Sequence, residues 1–198
     1  MMQPSESEDQ HLGTLWMGNL DEPLPASPSA RVSAAFTRVG PEAAQELALA
    51  MEGDAADVLQ RFARGKHCYV ARVEGKLASY GWATFDEEGI GELGISIRLQ
   101  AGEAYIWDCV TLPAYRGLRL YPALLAYILH DLQRDGIRRV WIGADADNQP
   151  SQRGFILIGL QPVADVVLTM NRQWVRGRPG VPEHLVADAR RAMFGTEH

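Results

Sequence analysis

Cysteine is scarce in this chain: 198 residues carry two, Cys68 and Cys109. Two thiols without ligand-like spacing give no metal cluster, and both fall in predicted strands. The expectation is a pair of buried, reduced thiols in a cytoplasmic protein, with no metal ion. Long apolar runs are missing too. None approaches the length of a membrane span, which argues against a membrane partner. Positive charge is in deficit, with 19 Lys and Arg against 25 Asp and Glu and a net charge of −6. A general nucleic-acid binder needs a basic face to displace counterions, so nucleic acid is not an expected partner. The same balance tilts slightly toward a cationic or amine ligand. The first ten residues, MMQPSESEDQ, are acidic and polar, unlike a secretory signal or a transit peptide. What remains is a chain that is 46% hydrophobic and of a length that suits one domain with tails.

The rest is organised around Tyr105 to Leu132. Tyr105, Ile106, Trp107, Cys109, Val110 and Thr111 are aromatic, β-branched or small apolar residues and read as a strand that Pro113 stops. Tyr121, Leu124, Leu125, Ile128 and Leu132 recur at spacings of three and four and read as one stripe of a helix. Between them lies Arg116-Gly117-Leu118-Arg119-Leu120-Tyr121, and Pro122 follows in the helix's first turn. First-turn amides have no intrahelical acceptor, and the helix dipole adds positive potential there. With two guanidiniums alongside, the arrangement suits a phosphate. An ordinary strand-to-helix connection with exposed arginines fits this stretch equally well.

A second stretch, Asn148 to Leu160, follows a predicted strand at Arg139 to Gly143 and begins another helix. Together the two stretches resemble the GCN5-related N-acetyltransferase (GNAT) superfamily. The resemblance rests on Thr111-Leu112-Pro113-Ala114-Tyr115-Arg116-Gly117, on Asn148, Ser151 and Gly159, and covers Lys66 to Val166. It implies a mixed α/β fold with a mostly antiparallel central sheet flanked by helices. It also implies acetyl-CoA as co-substrate, bound at Arg116 to Tyr121. The backbone of Cys109, Val110 and Thr111 would meet the pantetheine arm, with the Cys109 amide as oxyanion donor. Asn148 and Ser151 are implied as further pantetheine contacts. Three positions depart from the family pattern. Arg119 and Tyr121 stand where the phosphate loop has glycines, and Phe155 stands where many members carry a tyrosine that protonates the leaving thiolate. If Arg119 keeps helical backbone angles no glycine is needed for conformation, and its side chain becomes a phosphate clamp.

Along the chain, residues 1–30 are rich in Pro, Ser, Glu and Asp and read as a disordered tail, with Leu15, Trp16 and Met17 as a patch that docks on the domain or a partner. Residues 31–171 form the acetyltransferase-like domain, and 172–198 an extension with a short amphipathic helix from Pro182 to Met193. That helix either caps the core or forms a homodimer contact. Within the domain the expected order is a strand at Arg31 to Arg38, then helices at Pro41 to Met51 and Ala55 to Ala63. A hairpin follows through Glu74-Gly75, and then one strand over Ile90 to Leu99.

The reaction expected is transfer of an acetyl group to a primary amine of a small molecule or protein by direct attack. Candidates for the general base are Asp108, set between Trp107 and Cys109 on a central strand, and Glu92, on a strand bordering the acceptor cleft; Glu103 is a third. An arginine-paired structural carboxylate is the alternative for Asp108, and a solvated strand carboxylate the alternative for Glu92. Trp107 and Tyr105 share a face that borders the acceptor. The rival functions are a non-catalytic acyl-CoA-binding regulatory module of the same fold and an interaction protein that binds no CoA.

Overall fold

The apolar alternation along the chain resolves into one mixed sheet in the computed structural model, which describes residues 9–91, 93–169 and 172–195. Ten strands are found among them: β1 (Gln10–Asn19), β2 (Ala35–Val39), β3 (His67–Val73), β4 (Lys76–Thr84), β5 (Glu87–Ile90), β6 (Ile95–Arg98), β7 (Glu103–Thr111), β8 (Arg139–Asp145), β9 (Gln161–Thr169) and β10 (Arg172–Gly177). Eight of them form a sheet in the order β10-β9-β1-β8-β7-β4-β3-β2, and β5 and β6 pair separately. Every neighbour pair in the large sheet is antiparallel except β7 with β8.

The helices are α1 (Ala44–Ala50), α2 (Ala55–Ala63), α3 (Leu120–Arg134), α4 (Gln149–Leu157) and α5 (Glu183–Phe194). The stripe expected of α3 is the buried one: Leu124, Leu125, Ile128 and Leu132 pack with Phe155 of α4 and with Ile106 and Ile142 of the sheet. The opposite face is covered in two halves. Leu47 and Val58, from α1 and α2, pack over Cys68, Val70 and Trp82. Ala189, Ala192 and Met193 of α5, with Ile97 of β6, pack over Leu15, Tyr105, Trp141 and Val166. The C-terminal helix therefore caps the core.

Four expectations need correction. The segment read as a disordered tail contains β1, which lies between β8 and β9 and is buried from Gly13 to Gly18. Both its faces are covered, so it reads as a short continuous apolar run rather than as an alternating strand. The sheet also continues past residue 171 into β10, so neither 30/31 nor 171/172 bounds the packed unit. The first strand after the N-terminal region starts at Ala35, because Val32 and Ala34 instead pack beside Leu120. Finally, Ile90 to Leu99 is not one strand. Glu87–Ile90 and Ile95–Arg98 form a hairpin, turned at Gly94 with φ 64°. Among the described residues no helix is long and apolar enough to cross a membrane.

Candidate active site

Strands β7 and β8 pair in parallel only from Glu103 opposite Arg139 to Ile106 opposite Ile142. Beyond that the register of β7 against β4 shifts: Trp82 faces Trp107, then Tyr80 faces Val110, leaving Asp108 and Cys109 across from Gly81. Asp108 takes φ 44°, a left-handed backbone that the short Asp side chain tolerates. A Cβ on Gly81 would lie 2.7 Å from Cys109 Sγ, so glycine there makes room for the bulged strand. Where the strands part, a cleft of about 490 Å³ opens. It runs through the sheet: Tyr121, Asn148 and Ser151 line it on the α3–α4 side, and Arg61, Ile90, Leu93 and Met193 on the other.

At the α3 side stands the basic loop. Pro113–Tyr115 make a 3-10 turn, Gly117 has φ 79° and Arg119 has φ 57° and ψ 25°. The helical backbone expected of Arg119 is thus replaced by a left-handed one, the conformation in which a glycine costs least. Arg116 Nε donates to Thr111 O at 3.3 Å, and both Arg116 and Arg119 are exposed. Sequence reading missed a third guanidinium. Arg31 donates its main-chain N–H to Leu118 O at 2.8 Å and Nη1 to Gly117 O at 3.3 Å. It is 86 residues from Gly117 in the chain, so no local signal marks it. Leu118 is half-buried and Leu120 is buried in the core, so these two offer the loop backbone rather than side chains.

Tyr121 stands in the first turn of α3 with its ring against Gly154, where a Cβ would approach within 3.2 Å. Its phenol is hydrogen-bonded by Ser151, and burial holds the group well above the usual phenol range, so it stays protonated at neutral pH. Phe155 is fully buried, edge-on to Trp16 of β1 at 5.4 Å. Phe155 thus does not line the cleft, whereas Tyr121 of α3 does. Asn148 caps α4 by accepting from Ser151 N at 3.2 Å, and both residues line the cleft. Cys109 borders it too; burial pushes its thiol up to about 12, which keeps it from acting as a thiolate nucleophile. Val110 and Thr111 are paired to β4 on one edge, while no pairing with β8 reaches their other edge.

Asp108 is paired with an arginine and also lines the cleft. Its Oδ2 accepts from Arg61 Nη1 at 2.5 Å, and both side chains keep 25% exposure at the cleft wall. The Arg61 guanidinium lies over two indoles that face each other across β4 and β7, 5.1 Å from the Trp82 ring and 4.6 Å from that of Trp107. Lys66 reaches the Trp107 ring as well, at 4.8 Å, and pairs with Glu88; burial lowers its pKa. Glu103 is absorbed by structure: it is buried and bound by Arg139 at 3.1 Å and Arg191 at 2.9 Å. Glu92 lies outside the described residues. Tyr105 and Trp107 both border the cleft. Among the described residues no group of three or more His, Cys, Asp and Glu is placed to hold a metal ion.

The model of the acetyltransferase (GNAT) family matches residues 34–155, more than half of the chain. The chain belongs to the GNAT family. Solved GNAT structures share its fold at low identity. An acetyltransferase from Colwellia psychrerythraea matches with TM-score 0.58 and 12% identity over 86% of this chain and 57% of its own. A GCN5-related N-acetyltransferase from Sphaerobacter thermophilus gives 0.56 and 16%, over 78% and 50%. A putative GNAT-family acetyltransferase from Novosphingobium aromaticivorans gives 0.53 and 18%, over 82% and 65%. This chain thus spans less than two thirds of each. No protein of curated function matches it. The family match contains the bulged β7, the basic loop and most of α4, whereas Arg31, β1 and α5 lie outside it.

Proposed function

We propose that this protein transfers an acetyl group from acetyl-CoA to a primary amine by direct attack. The observation that carries the reading is the cleft through the sheet between β7 and β8, which has a basic helix N-terminus at one mouth and an aromatic and carboxylate-lined wall at the other. A through-going opening lets donor and acceptor meet from opposite faces.

Acetyl-CoA supplies an acyl group activated as a thioester. Arg116, Arg119 and Arg31 hold its phosphates at the α3 N-terminus, where Gly117 and Leu118 contribute loop backbone and Leu120 and Tyr121 first-turn amides. The unpaired β7 edge at Cys109, Val110 and Thr111 orients the pantetheine arm, with Asn148 and Ser151 across the cleft. The Cys109 amide faces the thioester oxygen; in other enzymes the loss of one such donor costs about 2.7–4 kcal/mol. Tyr121 presents its hydroxyl to the departing sulfur, as the phenol that borders the cleft beside Cys109. Asp108, held by Arg61, faces the attacking nitrogen.

Two measurements test this. Calorimetry should show acetyl-CoA binding that Arg116→Glu weakens by roughly 10–100-fold, the worth of one charged contact. Thiol release in the presence of amines then separates an enzyme from a non-catalytic acyl-CoA-binding module, the reading favoured by the side chains at Arg119 and Tyr121. Binding without release under any amine would establish the module.

A further inference from the structure

The wall of the cleft on the α2 side carries two opposite charges side by side. Arg61 and Asp108 are in contact at 2.5 Å, and both line the opening. Asp145, the other charged residue lining it among those described, is at the far end of β8. Arg61 is not a wandering surface arginine. The two indoles beneath its guanidinium fix its plane, which leaves a fork of N–H donors at the edges with one spent on Asp108. Across the cleft the described side chains are apolar: Ile90 and Leu93 from the β5–β6 hairpin and Met193 from α5. A purely structural ion pair needs no cavity in front of it. It also needs no left-handed backbone at Asp108 to bring the carboxylate around to α2.

From this arrangement we infer that the acceptor is a free α-amino acid with an apolar side chain. Its ammonium and carboxylate stand on one carbon, and the wall presents a negative and a positive group in direct contact with each other. Arg61 takes the carboxylate through its remaining donors. Asp108 takes the ammonium and so sets the nitrogen beside β7, where the Cys109 amide faces the thioester. The side chain lies against Ile90, Leu93 and Met193. A simple amine would meet Asp108 but leave the remaining Arg61 donors unused, and a peptide N-terminus has no carboxylate at this distance. The inference rests on the acyl-transfer reading for the identity of the reaction, and on the wall alone for the identity of the ligand.

The experiment compares L-leucine and L-phenylalanine with leucinamide, phenylalaninamide and phenethylamine as acceptors for thiol release from acetyl-CoA. The amino acids should exceed the amides and the amine in kcat/KM by roughly 10–100-fold, as loss of one charged hydrogen-bonding contact implies. Arg61→Met should collapse that ratio toward unity, mainly by raising KM for the amino acid, while the acetyl-CoA Kd stays unchanged because its phosphates bind on the other face. Arg61→Lys should restore part of the preference. Equal use of L-phenylalanine and phenethylamine by the unaltered protein overturns the inference, as does acetyl-CoA binding with release under the amines and none under the amino acids. Calorimetry of L-phenylalanine against phenylalaninamide without acetyl-CoA reads the wall independently of turnover. Discrimination there with no acyl transfer would sink the enzyme reading and keep the ligand; transfer with no discrimination in either assay would do the reverse.

Discussion

Arg119 carries two opposing consequences at one position. Its left-handed backbone costs an L-residue roughly 1–2 kcal/mol, a cost that glycine avoids. Glycine loses part of that gain to its greater freedom in the unfolded chain. Arg119→Gly is therefore expected to stabilise the fold by up to about 1 kcal/mol, which for a chain of this size raises Tm by roughly 2–4 °C. The same change removes a guanidinium from the α3 N-terminus, so acetyl-CoA should bind more weakly, and the loss should shrink at high salt. Tighter binding would mark the side chain as an obstruction. Tyr121 separates more sharply. Tyr121→Phe keeps the ring on Gly154 and deletes only the hydroxyl that meets Ser151. The expected result is a fall in kcat of about 100-fold or more with little change in acetyl-CoA Kd, within the range of acid–base contributions. An acetyl thioester of a more acidic thiol, which needs less help in leaving, should lose less. An equal loss with both thioesters would assign Tyr121 to packing.

At the scale of elements, β1 is the piece on which the sheet depends most. It supplies both edges of the join between β8 and β9, and its Trp16 packs against Phe155. Trp16→Ala should cost about 3–5 kcal/mol in urea unfolding, the range for emptying a large aromatic site in a core. A loss below about 1 kcal/mol would show that β1 is only a loosely held strap. Nothing in the sequence announced this strand. Leu15-Trp16-Met17 is a short apolar run set among Ser, Pro, Glu and Asp, and its partners lie more than a hundred residues away. The central strand, α3, the β3–β4 hairpin and α4 were legible because each carries its own period or turn signal. The hairpin β5–β6 was not, since Ile95, Ile97 and Leu99 alternate smoothly and the reversal at Gly94 is set between apolar neighbours, Leu93 and Ile95, that hide it. The same division holds in the site. Asn148, Ser151 and Asp108, singled out because they sit in local motifs or on the central strand, do line the cleft, and so does Tyr121 from the expected loop. Arg61 reaches the cleft, and Arg31 the basic loop, from distant elements that no local signal ties to them.

For the whole molecule, the buried and paired titratable groups set a stability optimum whose two limbs have different chemistry. On the acid side, Glu46 is held low by its hydrogen bonds from Arg72, and Asp86 by a backbone amide. Burial, with Arg38 nearby, holds His67 low. In all three the folded state binds protons less readily than the unfolded chain. Their contributions are complete above the unfolded values of about 4 for carboxylates and 6.5 for histidine, and are lost as pH falls through the lower folded ones. On the alkaline side burial has the opposite sign. It holds Cys68, Tyr69 and Tyr121 in their protonated forms, and pushes Tyr80 and Cys109 up to about 12. The unfolded chain releases thiol protons from about 8.5 and phenol protons from about 10, while the folded chain cannot, so stability falls as pH rises through that range. Lys66 opposes this, because burial lowers its pKa and the unfolded chain keeps that proton longer, but it is one group against five. The urea midpoint should therefore peak between about pH 6.5 and 8.5, with m unchanged across the range. Cys109→Ala removes one of the five groups and should flatten the alkaline limb without moving the acid one. A midpoint that keeps rising to pH 10 would mean that the thiols and phenols are reached by solvent in the folded state, and that the packing around the cleft is looser than the structure shows.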